Sequence, residues 1–243
     1  MANDYFQFQQ FTVRQENCAM KVGTDGTLLG AWARGGRRIL DIGTGTGLIA
    51  MMMAQRFPEA MVTGVEIDSD AAQQARQNAD ASPFGSRITI FTGDITTPAV
   101  IESLSHNAPF DAIVSNPPYF TDSLQCPDQQ RTTARHTASL TYGSLMHAVA
   151  QLLADDGELS FVIPFDSKTR IETEAALSAF IKHRECAVST TPRKAPRRYL
   201  LAYGRHAIDN IERTDAVLET APGVRSPWYD NLTAAFYLHP SML

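Results

Sequence analysis

The chain has 243 residues, of which 44% are apolar, and its formal net charge is −5. No stretch reaches the apolar length of a membrane span, and the polar start Met1–Asp4 fits neither a signal peptide nor a transit peptide, so we expect a cytoplasmic protein. The three cysteines lie far apart and the six histidines have no metal-ligand spacing, which argues against a disulfide framework and against a metal site.

Strands and helices alternate along the chain. The predicted strands are rich in apolar residues and comprise Arg38–Ile42, Met61–Glu66, Arg87–Phe91, Asp111–Ser115 and Glu158–Ile163. Between them, helical patterns comprise Thr46–Phe57, Ser69–Ala81 with Ser69 as N-cap, Pro98–Leu104 and Gly143–Leu153. A further helix, Ser167–Ile181, precedes a strand pair, Cys186–Thr190 and Arg198–Gly204. This order predicts an α/β domain with a seven-stranded, mostly parallel sheet and helices on both faces.

A glycine-rich loop, Asp41-Ile42-Gly43-Thr44-Gly45-Thr46-Gly47, follows the first strand. Glycines let a backbone approach a ligand closely where a strand passes into a helix, so the loop predicts a ligand site. The run Gly45–Ala50 also matches the dinucleotide pattern G-x-G-x-x-A, and Glu66 lies 21 residues past Gly45, where it suits ribose hydroxyls; a nicotinamide cofactor therefore stays open. Asp41 favours instead a ligand with a cationic amino acid portion, because another negative charge would not help to bind a diphosphate.

A four-residue turn, Asn116-Pro117-Pro118-Tyr119, follows the predicted strand Asp111–Ser115. An amino group conjugated to a ring or carbonyl is a poor nucleophile, because its lone pair is delocalised. Hydrogen bonds from its two N–H groups to suitable acceptors can draw the nitrogen toward tetrahedral geometry. The Asn116 amide oxygen and the Pro117 carbonyl can accept those two hydrogen bonds, and the prolines hold the backbone rigid without adding a donor. Tyr119 can stack on a planar substrate. The alternative is a Pro-Pro loop with a boundary aromatic, but the full motif after a strand favours methylation of a planar amine.

Positive charge is concentrated late in the chain. Between Lys182 and His206 there are seven Lys and Arg residues and one acid, Glu185. This basic segment on an acidic body suits a contact with nucleic-acid phosphates, although a solvated charge run explains the composition equally well.

The core Arg38–Pro164 resembles the class I S-adenosylmethionine-dependent methyltransferases, which have a Rossmann-like fold. The resemblance implies S-adenosylmethionine as the cofactor, with its methionine end on the glycine loop at Asp41, Gly43, Gly45 and Gly47. Glu66 would bind the ribose hydroxyls and Asp94 the adenine amino group. Helix capping for Glu66 and turn formation for Asp94 are the alternatives.

The flanking segments are similar to bacterial tRNA adenine-N6 methyltransferases that act on valine tRNA. These segments are Asn17–Trp32, Arg135–Leu140, Pro192–Lys194, Ser226–Tyr229 and Phe236–Leu238. In that family the target is the adenosine just 3′ of the anticodon. Lys21 and Thr24 lie beside a predicted helix, Thr24–Ala33, and either contact the cofactor or cap that helix.

The resemblance implies the anticodon stem-loop of a tRNA as the partner of a monomer or weak homodimer. Six basic residues are candidates for its phosphates: Arg131, Arg135, Arg193, Lys194, Arg197 and Arg198. The long connection 120–140 has the length of a functional lid. We expect residues 1–37 to extend over the cofactor site, 38–164 to form the cofactor-binding and catalytic core, and 165–243 to carry the basic substrate-binding patch.

Three alternative activities remain at this point. Protein glutamine N5-methyltransferases use the same turn, but only about 37 residues precede the first core strand here, too few for their usual N-terminal helical domain. A ribosomal RNA guanine-N2 methyltransferase is the second alternative, and a nicotinamide-dependent dehydrogenase, which would leave the turn unexplained, is the third. A cofactor-binding protein without activity would leave the turn unexplained as well.

Overall fold

A computed structural model of the protein describes residues 4–16, 18, 20–117 and 140–238. Its strands are β1 Tyr5–Gln7, β2 Thr12–Arg14, β3 Arg38–Ile42, β4 Met61–Glu66, β5 Ile88–Thr92, β6 Phe110–Ser115, β7 Leu153–Pro164, β8 Ile181–Ser189, β9 Arg198–Gly204, β10 Glu212–Val217, β11 Glu219–Ala221 and β12 Val224–Arg225. Its helices are α1 Thr24–Trp32, α2 Leu48–Arg56, α3 Ser69–Asp80, α4 Pro98–Ser105, α5 Tyr142–Leu152, α6 Lys168–Leu177 and α7 Pro227–Thr233.

The central sheet has the strand order β10-β8-β9-β7-β6-β3-β4-β5. Neighbouring strands are parallel except where β9 pairs with β7 and with β8. The mostly parallel α/β architecture is thus confirmed, but the sheet has eight strands rather than seven. The additional strand is β10, which pairs with β8 at the edge. Its sequence is polar and largely exposed, so it lacks the apolar pattern by which the other strands were predicted.

Helices cover both faces of the sheet. Helices α1, α2, α3 and α7 enclose one hydrophobic core, together with Phe8, Phe11 and Val13 from the β1–β2 hairpin and its turn. Helices α4, α5 and α6 enclose a second core on the opposite face. Strands buried on both faces are apolar almost throughout, which is why β3 and β6 were readily predicted.

Several element ends differ from the sequence prediction: α2 begins at Leu48 instead of Thr46, β7 at Leu153 instead of Glu158 and β8 at Ile181 instead of Cys186. Two further differences have a clear local cause. Asp68, and not Ser69, is the N-cap of α3, since its carboxylate accepts hydrogen bonds from the backbone N–H groups of Asp70 and Ala71. Helix α6 ends at Leu177 instead of Ile181, because Ala179 adopts a left-handed backbone (φ 58°) and the chain turns into β8.

The topology brings four strand ends together. Strand β3 lies between β4 and β6, and its last residue, Ile42, is in register with Val65 on one side and Ser115 on the other. Strand order reverses at this point, and in such sheets ligands bind outside the carboxyl ends of the strands. The segments that follow β3, β4, β5 and β6 therefore meet at one edge.

Over residues 4–16, 20–117 and 140–238, no helix is both long and apolar enough to cross a membrane. Within the same ranges, no group of His, Cys, Asp or Glu side chains has the arrangement of a metal site.

Candidate active site

The glycine-rich loop between β3 and α2 has a backbone that other residues rarely adopt. Gly43, Gly45 and Gly47 have φ angles of 73°, 54° and 81°. These lie in the left-handed region, which costs L-residues roughly 1–2 kcal/mol. A Cβ atom added at Gly43 or Gly45 would meet no atom within 4 Å, so both face open space. The loop thus offers a wall along which a ligand can approach the backbone.

Asp41 anchors this loop from inside the protein. Its side chain is fully buried, and Oδ2 accepts hydrogen bonds from the Thr44 hydroxyl (2.7 Å) and the Ala50 backbone N–H (3.1 Å). Burial raises the pKa of this carboxyl to about 7, with a smaller contribution from the negative charge of Glu66. Asp41 does not line the neighbouring cavities, so the structure places it as a support of the loop rather than on the ligand-facing wall.

Two acids lie at the same edge of the sheet, since Glu66 ends β4 and Asp94 lies just past β5. The Glu66 carboxylate accepts hydrogen bonds from the backbone N–H groups of Gly45 (2.9 Å) and Asp68 (3.0 Å), which ties the glycine loop to the end of β4. Asp94 accepts from the backbone N–H (2.8 Å) and hydroxyl (2.7 Å) of Thr96. Both acids line one cavity.

Two cavities meet at the glycine loop. One has a volume of about 370 Å³ and the other about 240 Å³. Their walls share four residues: Met20, Gly43, Gly45 and Asn116. The larger cavity is further lined by Lys21, Thr24, Asp25 and Arg198, and the smaller one by Glu66, Asp94 and several apolar side chains. The arrangement suits an elongated ligand that runs from one cavity into the other past the loop.

Asn116 lies where the two cavities meet. It follows β6, whose last residue, Ser115, is fixed by a hydrogen bond from its hydroxyl to the Ile42 carbonyl (2.8 Å). The Asn116 amide oxygen is buried and has no hydrogen-bond partner among the described residues. Its amide nitrogen donates to a weak acceptor, the Met20 sulfur, at 3.9 Å. Asn116 therefore presents at the shared wall an acceptor that no described residue occupies, and the buried Pro117 follows it.

Several predicted site residues lie outside the described part of the chain. They are Pro118, Tyr119, Arg131 and Arg135, and the long connection expected to act as a lid lies there as well, apart from Leu140.

The basic segment does not form a single patch. Three of its residues are engaged in the body of the protein: Arg184 pairs with Glu158, Lys182 with Glu172 and Glu185, and Arg205 donates to the carbonyls of Ala150 and Leu153. Arg198 lines the larger cavity, where its Nη1 lies 2.8 Å from Asp25 Oδ1. Only Arg193, Lys194 and Arg197 are exposed, without an ion pair to the described residues. The structure thus separates Arg198 from the other three predicted phosphate contacts.

Sequence reasoning did not single out the apolar part of the smaller cavity. Ile67 and Ile95 line it, each directly after an acid, Glu66 and Asp94. The sequence does contain a pattern that could have predicted this cavity wall: an acidic residue is followed by an apolar one at the ends of two neighbouring strands. Such a pattern places polar contacts at the edge of an apolar cavity.

A family model described as the methyltransferase small domain matches residues 26–191 of the chain. The chain is 47% identical to a protein from Bacteroides thetaiotaomicron named tRNA1(Val) (adenine(37)-N6)-methyltransferase, over 98% of this chain and 99% of the relative. Proteins of the same name from Porphyromonas gingivalis W83 and Aeromonas hydrophila are 46% and 44% identical, over 98% and 97% of this chain and 96% and 98% of the relatives.

The fold is also similar to solved methyltransferase structures. A protein from Agrobacterium tumefaciens described as a predicted O-methyltransferase superposes with a TM-score of 0.70 at 21% identity, over 89% of this chain and 98% of that one. The glycopeptide N-methyltransferase MtfA, solved in complex with S-adenosylmethionine, gives a TM-score of 0.54 at 13% identity, over 77% and 90% of the two chains. At these identities the likeness concerns the fold.

Proposed function

Because the chain belongs to the family of the tRNA1(Val) (adenine(37)-N6)-methyltransferases, we propose that it transfers a methyl group from S-adenosylmethionine to N6 of adenosine 37 in tRNA1(Val). The observation that carries the chemistry is the buried amide oxygen of Asn116, which lies at the wall shared by the two cavities and has no hydrogen-bond partner within the described part of the chain. The alternatives of glutamine or guanine methylation, and of a nicotinamide-dependent dehydrogenase, are not favoured by any of these relatives.

The residues at the sheet edge fit S-adenosylmethionine. Open space at Gly43 and Gly45 admits a ligand against the backbone, and the smaller cavity combines carboxylates with apolar walls, as a nucleoside requires. Glu66 would bind the ribose hydroxyls and Asp94 the adenine amino group. When bound, S-adenosylmethionine supplies the electrophilic methyl group on its sulfonium.

The larger cavity suits the charged methionine end of the cofactor. Lys21 and Thr24 line it together with the glycine loop, so we propose that these two residues contact the methionine portion. Gly47 keeps the loop in its turn at the start of α2, and Asp41 holds it through Thr44 and Ala50. The contribution of Asp41 in this proposal is therefore positional.

The target amine would be held by the turn after β6. The Asn116 amide oxygen accepts one N–H of adenine N6 and the Pro117 carbonyl accepts the other, which directs the nitrogen lone pair toward the space shared by the cavities. Tyr119 would stack on the adenine ring. The nitrogen becomes cationic as it is alkylated and then loses a proton readily, so no strong base is needed beforehand. Catalysis rests on positioning and on electrostatic complementarity.

The exposed basic residues would hold the anticodon stem-loop. Arg193, Lys194 and Arg197 are accessible, and Arg131 and Arg135 remain part of the proposal. Contacts to phosphates orient an RNA without selecting its sequence, and an anticodon loop already offers partly unstacked bases. With tRNA as the substrate, we place the reaction in the cytoplasm and expect a monomer or weak homodimer.

The direct test is to incubate the protein with labelled S-adenosylmethionine and, separately, total tRNA, ribosomal RNA and cell protein. Label should enter tRNA as N6-methyladenosine. Label in protein glutamine or in ribosomal guanine would contradict the proposal, as would binding of NAD without binding of S-adenosylmethionine.

A further inference from the structure

A large aromatic side chain is exposed close to the candidate active site without a role in either core. Phe165 follows β7 directly and is 52% exposed. Its backbone N–H donates to the Arg197 carbonyl (3.0 Å), which ties it to the segment leading into β9. Its ring centroid lies 6.0 Å from that of Tyr199 at 30°, and the Lys168 ammonium lies 4.4 Å from the centre of the Tyr199 ring. The Phe165 ring is thus half-exposed but firmly supported.

Phe165 forms part of an open groove of about 610 Å³. Lys194 and Arg197, two of the exposed cations, line this groove, together with Pro196 and the acid Asp166. An aromatic face beside cationic side chains is the combination that binds single-stranded nucleic acid, because any base can stack and the cations attract the adjoining phosphate. Asp166 reduces the positive charge, so phosphate binding depends on Lys194 and Arg197 together.

The groove adjoins the candidate active site. Strand β7 pairs with β6, which leads to Asn116, and on its other side with β9. Since Ser115 is in register with Phe161, Phe165 lies one strand spacing across from Asn116 and three residues further along the strand direction, roughly 11 Å away in all. Arg197 and Arg198 are consecutive, yet Arg197 lines the groove and Arg198 the cavity that contains Asn116. A nucleic-acid strand with one base at Asn116 would have a neighbouring nucleotide within reach of Phe165.

We propose that this groove binds the base of a nucleotide next to adenosine 37, stacked on Phe165, while Lys194 and Arg197 contact its phosphate. The inference rests on the proposed function, because it needs an RNA strand in the active site. Phe165 is then a substrate-positioning residue and takes no part in the chemistry.

The test compares Phe165→Ala with Phe165→Trp and with Leu177→Ala, which removes another exposed apolar side chain on α6 (77% exposed). KM and kcat are measured with an anticodon stem-loop RNA, and S-adenosylmethionine affinity is measured alongside. Loss of the stacking surface should raise KM about tenfold in Phe165→Ala, with kcat and cofactor affinity unchanged. Phe165→Trp should restore KM, and Leu177→Ala should match the wild-type protein.

A fluorescent base locates the stacking site. 2-Aminopurine replaces the nucleotide on one side of the target adenosine or on the other, in two separate RNAs. The wild-type protein should quench the fluorescence of 2-aminopurine at one of these positions, and Phe165→Ala should not quench it there. An unchanged KM in Phe165→Ala, or equal quenching by both proteins, overturns the inference while methylation by the wild type upholds the proposed function. If the wild type methylates no tRNA, the proposed function fails and the inference fails with it.

Discussion

Asn116 is a single residue on which the proposed chemistry depends. The Asn116 amide oxygen is buried and accepts no hydrogen bond from residues 4–16, 18, 20–117 or 140–238, and an unsatisfied buried acceptor costs about 1–3 kcal/mol, which a bound donor would recover. In Asn116 this oxygen lies at the meeting point of two cavities. An amino group with two N–H donors is a suitable ligand, since Asn116 and the Pro117 carbonyl together provide two acceptors.

Replacing Asn116 by alanine should reduce methyl transfer at least about a hundredfold, because one of the two acceptors is removed. Affinity for S-adenosylmethionine, measured by titration calorimetry, should stay within a few fold. Asn210→Ala, at an exposed position, serves as the control and should behave like the wild type. Near-normal turnover of Asn116→Ala would refute the assigned role.

Asp41 should give the cofactor-free protein a characteristic dependence of stability on pH. Its pKa is about 7 in the folded protein against 3.8 as the ordinary value. Above pH 4 the unfolded chain loses this proton while the folded protein keeps it, so the free energy of unfolding falls as pH rises and levels off above pH 7.

Asp41→Asn removes this titration at nearly constant volume. Between pH 5 and pH 7.5, urea unfolding should show that the wild type loses about 2 kcal/mol relative to the variant. Since every other titrating group is common to both proteins, the difference isolates Asp41. Parallel pH profiles for the two proteins would show that the buried carboxyl does not titrate in this range.

At the scale of elements, the loop between β3 and α2 joins backbone conformation to ligand binding. Its left-handed glycines let the chain turn sharply from strand to helix, and Gly45 also donates its N–H to Glu66. The same conformation leaves room for a ligand beside the backbone. A side chain at Gly45 would therefore have two separable effects.

Gly45→Ala should lower the free energy of unfolding by about 1 kcal/mol through backbone strain. It should also weaken S-adenosylmethionine binding at least about tenfold, because the methyl group would project into the cavities. Gly223→Ala is the matched control, since Gly223 also has a positive φ (76°) and open surroundings but lies in the exposed turn between β11 and β12. Equal cofactor affinity in the two variants would remove the loop from the binding site.

Most elements were predictable because burial leaves a pattern in the sequence. Strands β3, β4 and β6 are apolar since both faces are covered, and the alternating helices fix a parallel sheet. Strand β10 escaped prediction because an exposed edge strand needs no such pattern. The end of α6 escaped because alanine at a left-handed position gives no signal, whereas glycine would have.

At the scale of the whole molecule, tertiary structure decides which basic side chains are exposed, and their proximity in the sequence does not. Of seven cations clustered in sequence, only Arg193, Lys194 and Arg197 lie exposed without an ion pair to the described residues. The positions of the glycine loop, Glu66, Asp94 and Asn116 at strand ends could be predicted from the sequence, because each lies in a local pattern that follows an apolar strand. The pairing of Arg198 with Asp25, which joins the start of β9 to helix α1, could not be predicted in this way.

Reversing charge at the exposed cations should weaken tRNA binding and flatten its salt dependence. In the double variant Lys194→Glu/Arg197→Glu, the negative slope of log affinity against log salt concentration should become shallower. Its magnitude should decrease by about 0.7 for each phosphate that the double variant no longer neutralises. Arg213→Glu makes the same kind of charge change at an exposed position of β10 and should leave the slope nearly unchanged. If the double variant keeps the wild-type slope, these residues do not lie at the RNA interface.

The identity of the methylated atom tests the central claim most directly. Unmodified tRNA1(Val) transcripts with adenosine or with guanosine at position 37 are incubated with the protein and labelled S-adenosylmethionine, digested to nucleosides and analysed by mass spectrometry. We predict one N6-methyladenosine per adenosine-37 transcript and no label in the guanosine-37 transcript. Equal labelling of the two transcripts, or label in any nucleoside other than N6-methyladenosine, would contradict the account.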